Sequence, residues 1–169
     1  EGNFSEALKV SAESVALAQQ CSDGRSEAIG RENLALAQIG LRDFDGARIE
    51  REKSGELAEE LGDRERELSL RLVDVEWDVR RGDAGKGDDF FLRIVADLED
   101  RNLRSELPRT LRLWGESLAA RGDRDGCAMR WGAGLKEARK QTNVVEERKL
   151  MALLGLKMRR KKKRSFRLQ

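Results

Sequence analysis

The sequence predicts an all-α fold, a stack of antiparallel helical hairpins with about eight helices, and three observations carry that prediction. The composition is dense in Ala, Leu, Glu, Arg and Lys. With one proline, Pro108, three Trp, five Phe and no Tyr, it lacks the turn punctuation and aromatic richness of a sheet protein. Charged residues make up 39% of the 169 and hydrophobic residues 38%, which suits an elongated molecule with a thin core and a large solvated surface. The third observation is a repeat. Gly2-Asn3-Phe4-Ser5-Glu6-Ala7, Arg42-Asp43-Phe44-Asp45-Gly46-Ala47, Gly82-Asp83-Ala84-Gly85-Lys86-Gly87 and Gly122-Asp123-Arg124-Asp125-Gly126-Cys127 recur at a step of forty residues without a gap. Each reads as a helix-to-helix turn: a residue that ends one helix in a left-handed conformation, an Asn or Asp that caps the next, and a small residue one turn in.

In chain order, the first helix is expected near 3–20, capped by Asn3 and packing through Val15 and Ala18. Ser22-Asp23 opens the second, near 25–41, whose Leu34-Ala35 sets a large apolar residue beside a small one and so admits a close neighbour. Arg42-Asp43 opens the third, near 43–61, with Ala47, Gly55 and Ala58 at the places of Ala7, Val15 and Ala18. Gly62-Asp63 opens the fourth, near 64–81, with Asp74-Val75 at the large-small place. The fifth, near 86–101, carries Val95 and Leu98, and the sixth, near 105–121 after Asn102, carries Trp114-Gly115. Gly122-Asp123 opens the seventh, near 124–141, with Cys127, Leu135 and Ala138. Thr142-Asn143 opens the eighth, near 144–161, with Asn143 and Glu146 spaced as a capping box and Leu154-Gly155 at the large-small place. Residues 1–161 thus form one array: 1–21 the second helix of a truncated unit, 22–61, 62–101 and 102–141 complete units, and 142–161 a capping helix, with 162–169 a basic tail. Opening within a repeat and without an initiator Met, the chain reads as a piece of a longer array that ends at its natural C-terminus.

The segments Gly2 to Ala7, Glu32-Asn33-Leu34-Ala35 and Arg42 to Ala47 resemble the tetratricopeptide repeat, in the long-repeat variety of kinesin light chain and many bacterial signalling proteins. The resemblance extends to about residue 160. The third unit departs from it, with Asp74 where the family prefers Leu, Asp78 where it prefers an aromatic and Gly87 where it prefers Ala, so that unit is expected to be looser or specialised. The resemblance implies a right-handed superhelix whose first helices line a concave groove holding a peptide or helix of a partner protein. Carried onto this chain, the groove residues are Glu32, Asn33 and Leu36, then Leu72, Glu76 and Arg80, then Arg109, Arg112, Leu113 and Glu116. Asn33 would hold a ligand backbone through an amide that donates and accepts at once, the leucines would supply apolar contact, and the charged residues would set register. Arg109 and Arg112, three apart on one face, would grip an acidic segment. The family's Lys and Asn carboxylate clamp is missing, so capture of a chain terminus is not expected. Read without the family, Asn33 makes a local contact, Glu76 and Arg80 form an i,i+4 ion pair, and the arginines are solvated helix surface.

The C-terminal segment is the second candidate. Lys157, Arg159, Arg160, Lys161, Lys162, Lys163, Arg164 and Arg167 are eight cations with no acid among them, leaving 26 cations to face 32 acids in the rest of the chain. Such asymmetry marks a segment that meets phosphate, an anionic membrane surface or an acidic partner, or that folds back on its own acidic body. Only Phe166 interleaves, which gives little for base stacking, and a solvated tail or a nuclear-import address fits the same run.

Catalytic chemistry finds no footing. With no His, and Cys21 and Cys127 far apart, the chain lacks a Ser-His-Asp or Cys-His relay and a zinc knuckle, and neither cofactor nor metal is expected. Gly82 to Gly87 imitates a phosphate loop but lacks the first Gly and the Ser or Thr after Lys86, and it lies between helices rather than after a strand. Arg-Gly-Asp at 81–83 and 121–123 falls on the repeat turn, whose geometry already explains Gly and Asp, and Asn3-Phe4-Ser5 is a glycosylation sequon by spelling only. Adjacent acids such as Glu59-Glu60 and Asp88-Asp89 diverge around a helix and cannot work as an acid-base pair. Trp77, Trp114, Trp131, Phe90 and Phe91 sit at apolar helical spacing, and Cys127 takes a packing position. The expectation is a non-catalytic interaction scaffold in a larger protein, cytoplasmic or, in a eukaryotic host, nuclear. Nucleic-acid or anionic-surface binding through the tail is the alternative, and a homodimer through unpaired end helices is a further reading.

Overall fold

The structure is a computed structural model that describes residues 3–83 and 85–156. The described residues form eight α-helices and one short 3₁₀ turn, with no strand among them, so the all-α expectation holds. The helices are α1 Phe4–Gln20, α2 Gly24–Leu41, α3 Phe44–Leu61, α4 Arg64–Arg81, α5 Asp88–Asp100, α6 Leu107–Ala120, α7 Arg124–Lys140 and α8 Val144–Leu153, and the 3₁₀ turn Arg104–Glu106 leads into α6.

The boundaries follow from the capping chemistry. Asn3, Asp23, Asp43, Asp63, Asp123 and Asn143 each accept, through the side chain, the backbone N–H three residues on, which satisfies a donor that the first helical turn leaves orphaned. The residue before five of these caps is left-handed, since Ser22, Arg42, Gly62, Gly122 and Thr142 have positive φ, and Gly82 and Asn102 continue the same spacing of twenty residues. Glycine takes this conformation without steric cost at 62, 82 and 122, and the capping turn holds Ser, Arg, Asn and Thr in it elsewhere. The capping residue also donates its own backbone N–H five residues back, as Asp63 does to Ala58 at 2.8 Å and Asp123 to Leu118 at 3.0 Å, so one residue stitches two helices. Replacing Asp123 by Ala is expected to lower stability by about 1 kcal/mol in urea unfolding, with the folded-state spectrum unchanged.

Between helices, small residues set the distance. The inner face of α3 is Ala47, Ser54 and Ala58, all fully buried, and α3 lies close along α2, as α7 lies along α6 with Gly134 and Ala138 inside. Gly115 of α6 is buried where an added Cβ would overlap the Trp131 indole, whose Nε1 donates to the Arg112 carbonyl at 3.2 Å. Even-numbered helices also touch in succession, α2 with α4, α4 with α6 and α6 with α8.

The third unit differs, in line with its departures from the repeat. By the forty-residue step from Phe4 and Phe44, α5 would start at residue 84; it starts at Asp88, and its N-cap Gly87 makes no side-chain bond. Gly87 is therefore a cap and not the packing residue that the register assigned. The buried face of α5 is Phe91, Ile94 and Leu98, large where α3 and α7 are small, and α5 lies along α6 and the 3₁₀ turn without pairing closely with α4. The space between holds the main apolar core: Leu68, Leu72 and Val75 of α4, the α5 face, and Leu113 and Trp114 of α6, with Trp114 stacked on Phe91 at 5.4 Å. Trp77 and Trp131 are half-buried at the edge of their clusters.

One boundary departs clearly. The last helix, expected to reach 161, ends at Leu153, because Gly155 is left-handed and Leu156 donates to the Met151 carbonyl at 2.8 Å, a terminating turn in place of a large-small packing pair. The basic run Lys157, Arg159, Arg160, Lys161, Lys162, Lys163, Arg164 and Arg167 lies outside the described residues.

Candidate functional site

Five of the positions assigned to a groove, Glu32, Glu76, Arg109, Arg112 and Glu116, come together in a row across α2, α4 and α6 that Glu146 extends to α8, but the arrangement is a buried ladder of charge. Glu32 of α2 pairs with Arg66 of α4 and accepts from Ser69 Oγ at 2.6 Å. Arg109 of α6 lies with Nη1 3.5 Å from Glu32 and Nε 3.8 Å from Glu76 of α4. Arg112, one helical turn on, is the hub: Nη2 reaches Glu76 at 3.1 Å, Nη1 reaches Glu116 at 2.7 Å and Nε reaches Glu146 of α8 at 2.8 Å. Glu146 in turn holds Lys149 at 2.8 Å. Glu106, from the 3₁₀ turn, lies 3.6 Å from Arg109.

Burial decides what this face can do. Arg112 is 3% exposed and Glu32 4%, while Leu72 and Leu113 are fully buried and belong to the core rather than to any lining. Glu76, Arg109 and Glu116 keep less than a fifth of their side-chain surface. Of the predicted groove residues only Asn33 and Arg80 are exposed, with Leu36 half-buried against Ala35 and Ile39. Glu76 pairs with α6 rather than with Arg80, whose guanidinium lies over the Phe4 ring at 5.8 Å. Arg112 thus has carboxylate partners of its own on three sides.

The electrostatics follow from crowding. Burial opposes ionisation of Glu76, but Arg112, Arg109 and Lys149 outweigh it and hold its carboxyl at about 2. Glu146 is lowered against the same burial, by Arg112 and Lys149. Burial likewise works against the Arg112 charge, and the carboxylates of Glu76, Glu116 and Glu146 overcome it and fix the guanidinium as a cation. Glu106 moves the other way: burial pushes its carboxyl up, Glu32 and Glu146 add to this, and Arg109 only partly opposes it.

Sequence reasoning missed Arg66, Ser69 and Glu146, whose partners Glu32 and Arg112 are distant in the chain, and Glu106, which lies one turn before Arg109. The signal that finds them is opposite charge near one repeat length, as in Glu32 with Arg66, Glu76 with Arg112 and Arg112 with Glu146, separated by 34, 36 and 34 residues. Chemically, the ladder is a set of fixed charges that holds successive helices in register. Among the described residues no group of three or more His, Cys, Asp or Glu is placed to hold a metal ion, and no helix is long and apolar enough to cross a membrane. Cys127 is buried and Cys21 is exposed. Compared with known proteins, the chain matches no family model and no curated protein.

Proposed function

We propose that the chain is a right-handed solenoid of antiparallel hairpins of the tetratricopeptide type, and that it serves as a non-catalytic scaffold holding a peptide or helix of another protein along the even-helix face. The observation that carries the reading is the ladder: residues at repeat-related places on α2, α4, α6 and α8 meet each other in one continuous row. A row of this kind fixes the angle between successive units and leaves the exposed Asn33 and Arg80, with the half-buried Leu36, as the ligand-facing residues. Arg109 and Arg112 act in this reading as internal struts, with no direct grip on the ligand.

Site-specific photo-crosslinking tests it. A photoreactive side chain at Asn33 should join a defined partner in a lysate of the source cells, and the same group at Glu60, exposed on α3, should not. Equal labelling at both places would contradict the reading. Adducts that need residues 157–169 and fade steeply with salt would move the function to the basic segment and to an anionic partner.

A further inference from the structure

The two ends of the described stack carry the two open halves of one hairpin. A second helix of the repeat has two packing faces, as α3 shows. Phe44, Arg51 and Gly55 face the following helix α4: Phe44 meets Trp77, Arg51 takes Asp74 through two bonds of 2.7 Å, and Gly55 lies beside Leu70. Glu50, Ser54 and Leu57 face the preceding helix α2: Glu50 takes Arg31 at 2.6 Å, Ser54 Oγ donates to the Ala28 carbonyl at 2.8 Å, and Leu57 lies beside Gly24. Forty residues earlier, α1 repeats both faces. The face toward α2 is filled, with Phe4 against Gly40 and Val15 against Gly30. The other, Val10, Ser14 and Leu17, is exposed, Leu17 to 61%. At the far end α8 has the reverse deficit. It is a first helix, related to α2 by three repeats, and its exposed Val144 and Arg148 stand where Gly24 and Ala28 meet α3. A helix that closes a stack needs a polar outer face, whereas α8 and the turn after it expose Val144, Val145, Leu153 and Leu156.

We infer that α8 of one copy of the chain seats on the open face of α1 of a second copy, and that chains of residues 1–169 join head to tail through this contact. The pairings inside the chain say which residues meet. One place holds Gly24 beside Leu57 in the first complete unit, and its counterparts in the next two are the opposite charges Arg64 and Asp97, then Arg104 and Glu137. Between copies that place receives Val144 and Leu17. The place of the Arg31 and Glu50 ion pair receives Met151 and Val10. Both places change character from unit to unit, and at the joint between copies both are apolar on each side. Arg148 lays its stem across Ser14 and keeps its charge at the rim. Because α8 ends at Leu153, it covers α1 from Val10 toward Cys21. The contact is heterologous and leaves one free end on each chain, so growth does not stop at a dimer. The inference rests on the pairing of α2 with α3 and not on a ligand, so crosslinking at Asn33 is decided separately.

Sedimentation equilibrium of the full chain from about 10 to 500 μM tests it. With Kd of about 100 μM or tighter for each contact, the average mass should pass two chains at the top of the range. Leu17→Glu and Val144→Glu change exposed side chains, so an unaltered far-ultraviolet spectrum is expected. Each should weaken the contact about a hundredfold by setting a carboxylate in an apolar joint. Each variant keeps the end that the other has lost, so an equimolar mixture should form one-to-one dimers and nothing larger. Leu92→Glu, exposed on α5, should assemble as the original does. The inference is overturned if the original chain stays monomeric or stops at a dimer, if either end variant assembles alone, or if mixing the two restores nothing.

Discussion

Replacing Arg112 by Met is expected to lower the unfolding free energy by about 3–5 kcal/mol. The guanidinium is 3% exposed and meets Glu76, Glu116 and Glu146, which come from α4, α6 and α8. Methionine fills the stem volume but leaves three carboxylates crowded without their common cation, and the penalty is their desolvation rather than lost attraction alone. Lysine is no substitute, because a single ammonium cannot serve three carboxylates in the plane of a guanidinium. Equilibrium urea unfolding reads the effect directly. By contrast, Arg48→Gln on the exposed surface should change stability by less than about 0.5 kcal/mol, and an equal effect at the two positions would mean that Arg112 is not the hub.

The second large effect is loss of stability in acid. The Glu76 carboxyl is held at about 2, well below its ordinary 4.5, so its contribution is fully present above the unfolded value and is lost as pH falls toward the folded one. Glu146 is lowered as well and acts in the same direction. Glu106 is raised, so its burial costs stability at neutral pH and the cost is relieved on acidification. Glu76 alone accounts for about 3 kcal/mol lost between roughly pH 5 and pH 2. With no His in the chain, stability should be nearly flat from about pH 5.5 to 8. Glu76→Gln should lower stability at neutral pH and flatten the acid limb; a profile identical to that of the unmodified chain would contradict the assignment.

The all-helical class and most helix boundaries were legible in the sequence because their punctuation is local. Capping requires a short polar side chain at Asp23, Asp43, Asp63, Asp123 and Asn143, and the left-handed turn favours Gly at 62, 82 and 122, so the boundaries are written in a few residues at fixed spacing. The end of α8 was misjudged because a Gly after a Leu reads equally as a close-packing pair or as a stop. Its meaning depends on the following turn, which here closes from Leu156 to Met151. In the third unit, Gly87 matched the register, but the bulk of Phe91, Ile94 and Leu98 on the inner face of α5 decided the spacing, and bulk acts through a partner helix that local pattern does not reveal.

The site was half legible. The groove residues on α2, α4 and α6 were named from the family resemblance, and the charged ones among them, Arg80 excepted, do share a face. What spacing left open was whether that face opens on solvent or meets its counterpart on the next unit. The even helices approach closely enough for Glu32 to reach Arg66 and Ser69, and for Arg112 to reach both neighbouring units, so the charges find each other first. A charged residue in a first helix is a strut where an opposite charge stands about one repeat away, as at Glu76 and Arg112.

The central claim is that buried charge across successive units holds the stack in register, and a double-mutant cycle on Glu76 and Arg112 tests it most directly. Glu76→Gln, Arg112→Met and the combined variant, compared by urea unfolding at neutral pH, should give a coupling energy of about 1.5–3 kcal/mol between helices α4 and α6. If the two substitutions add to within about 0.3–0.5 kcal/mol, the residues do not share a network and the ladder does not link the units.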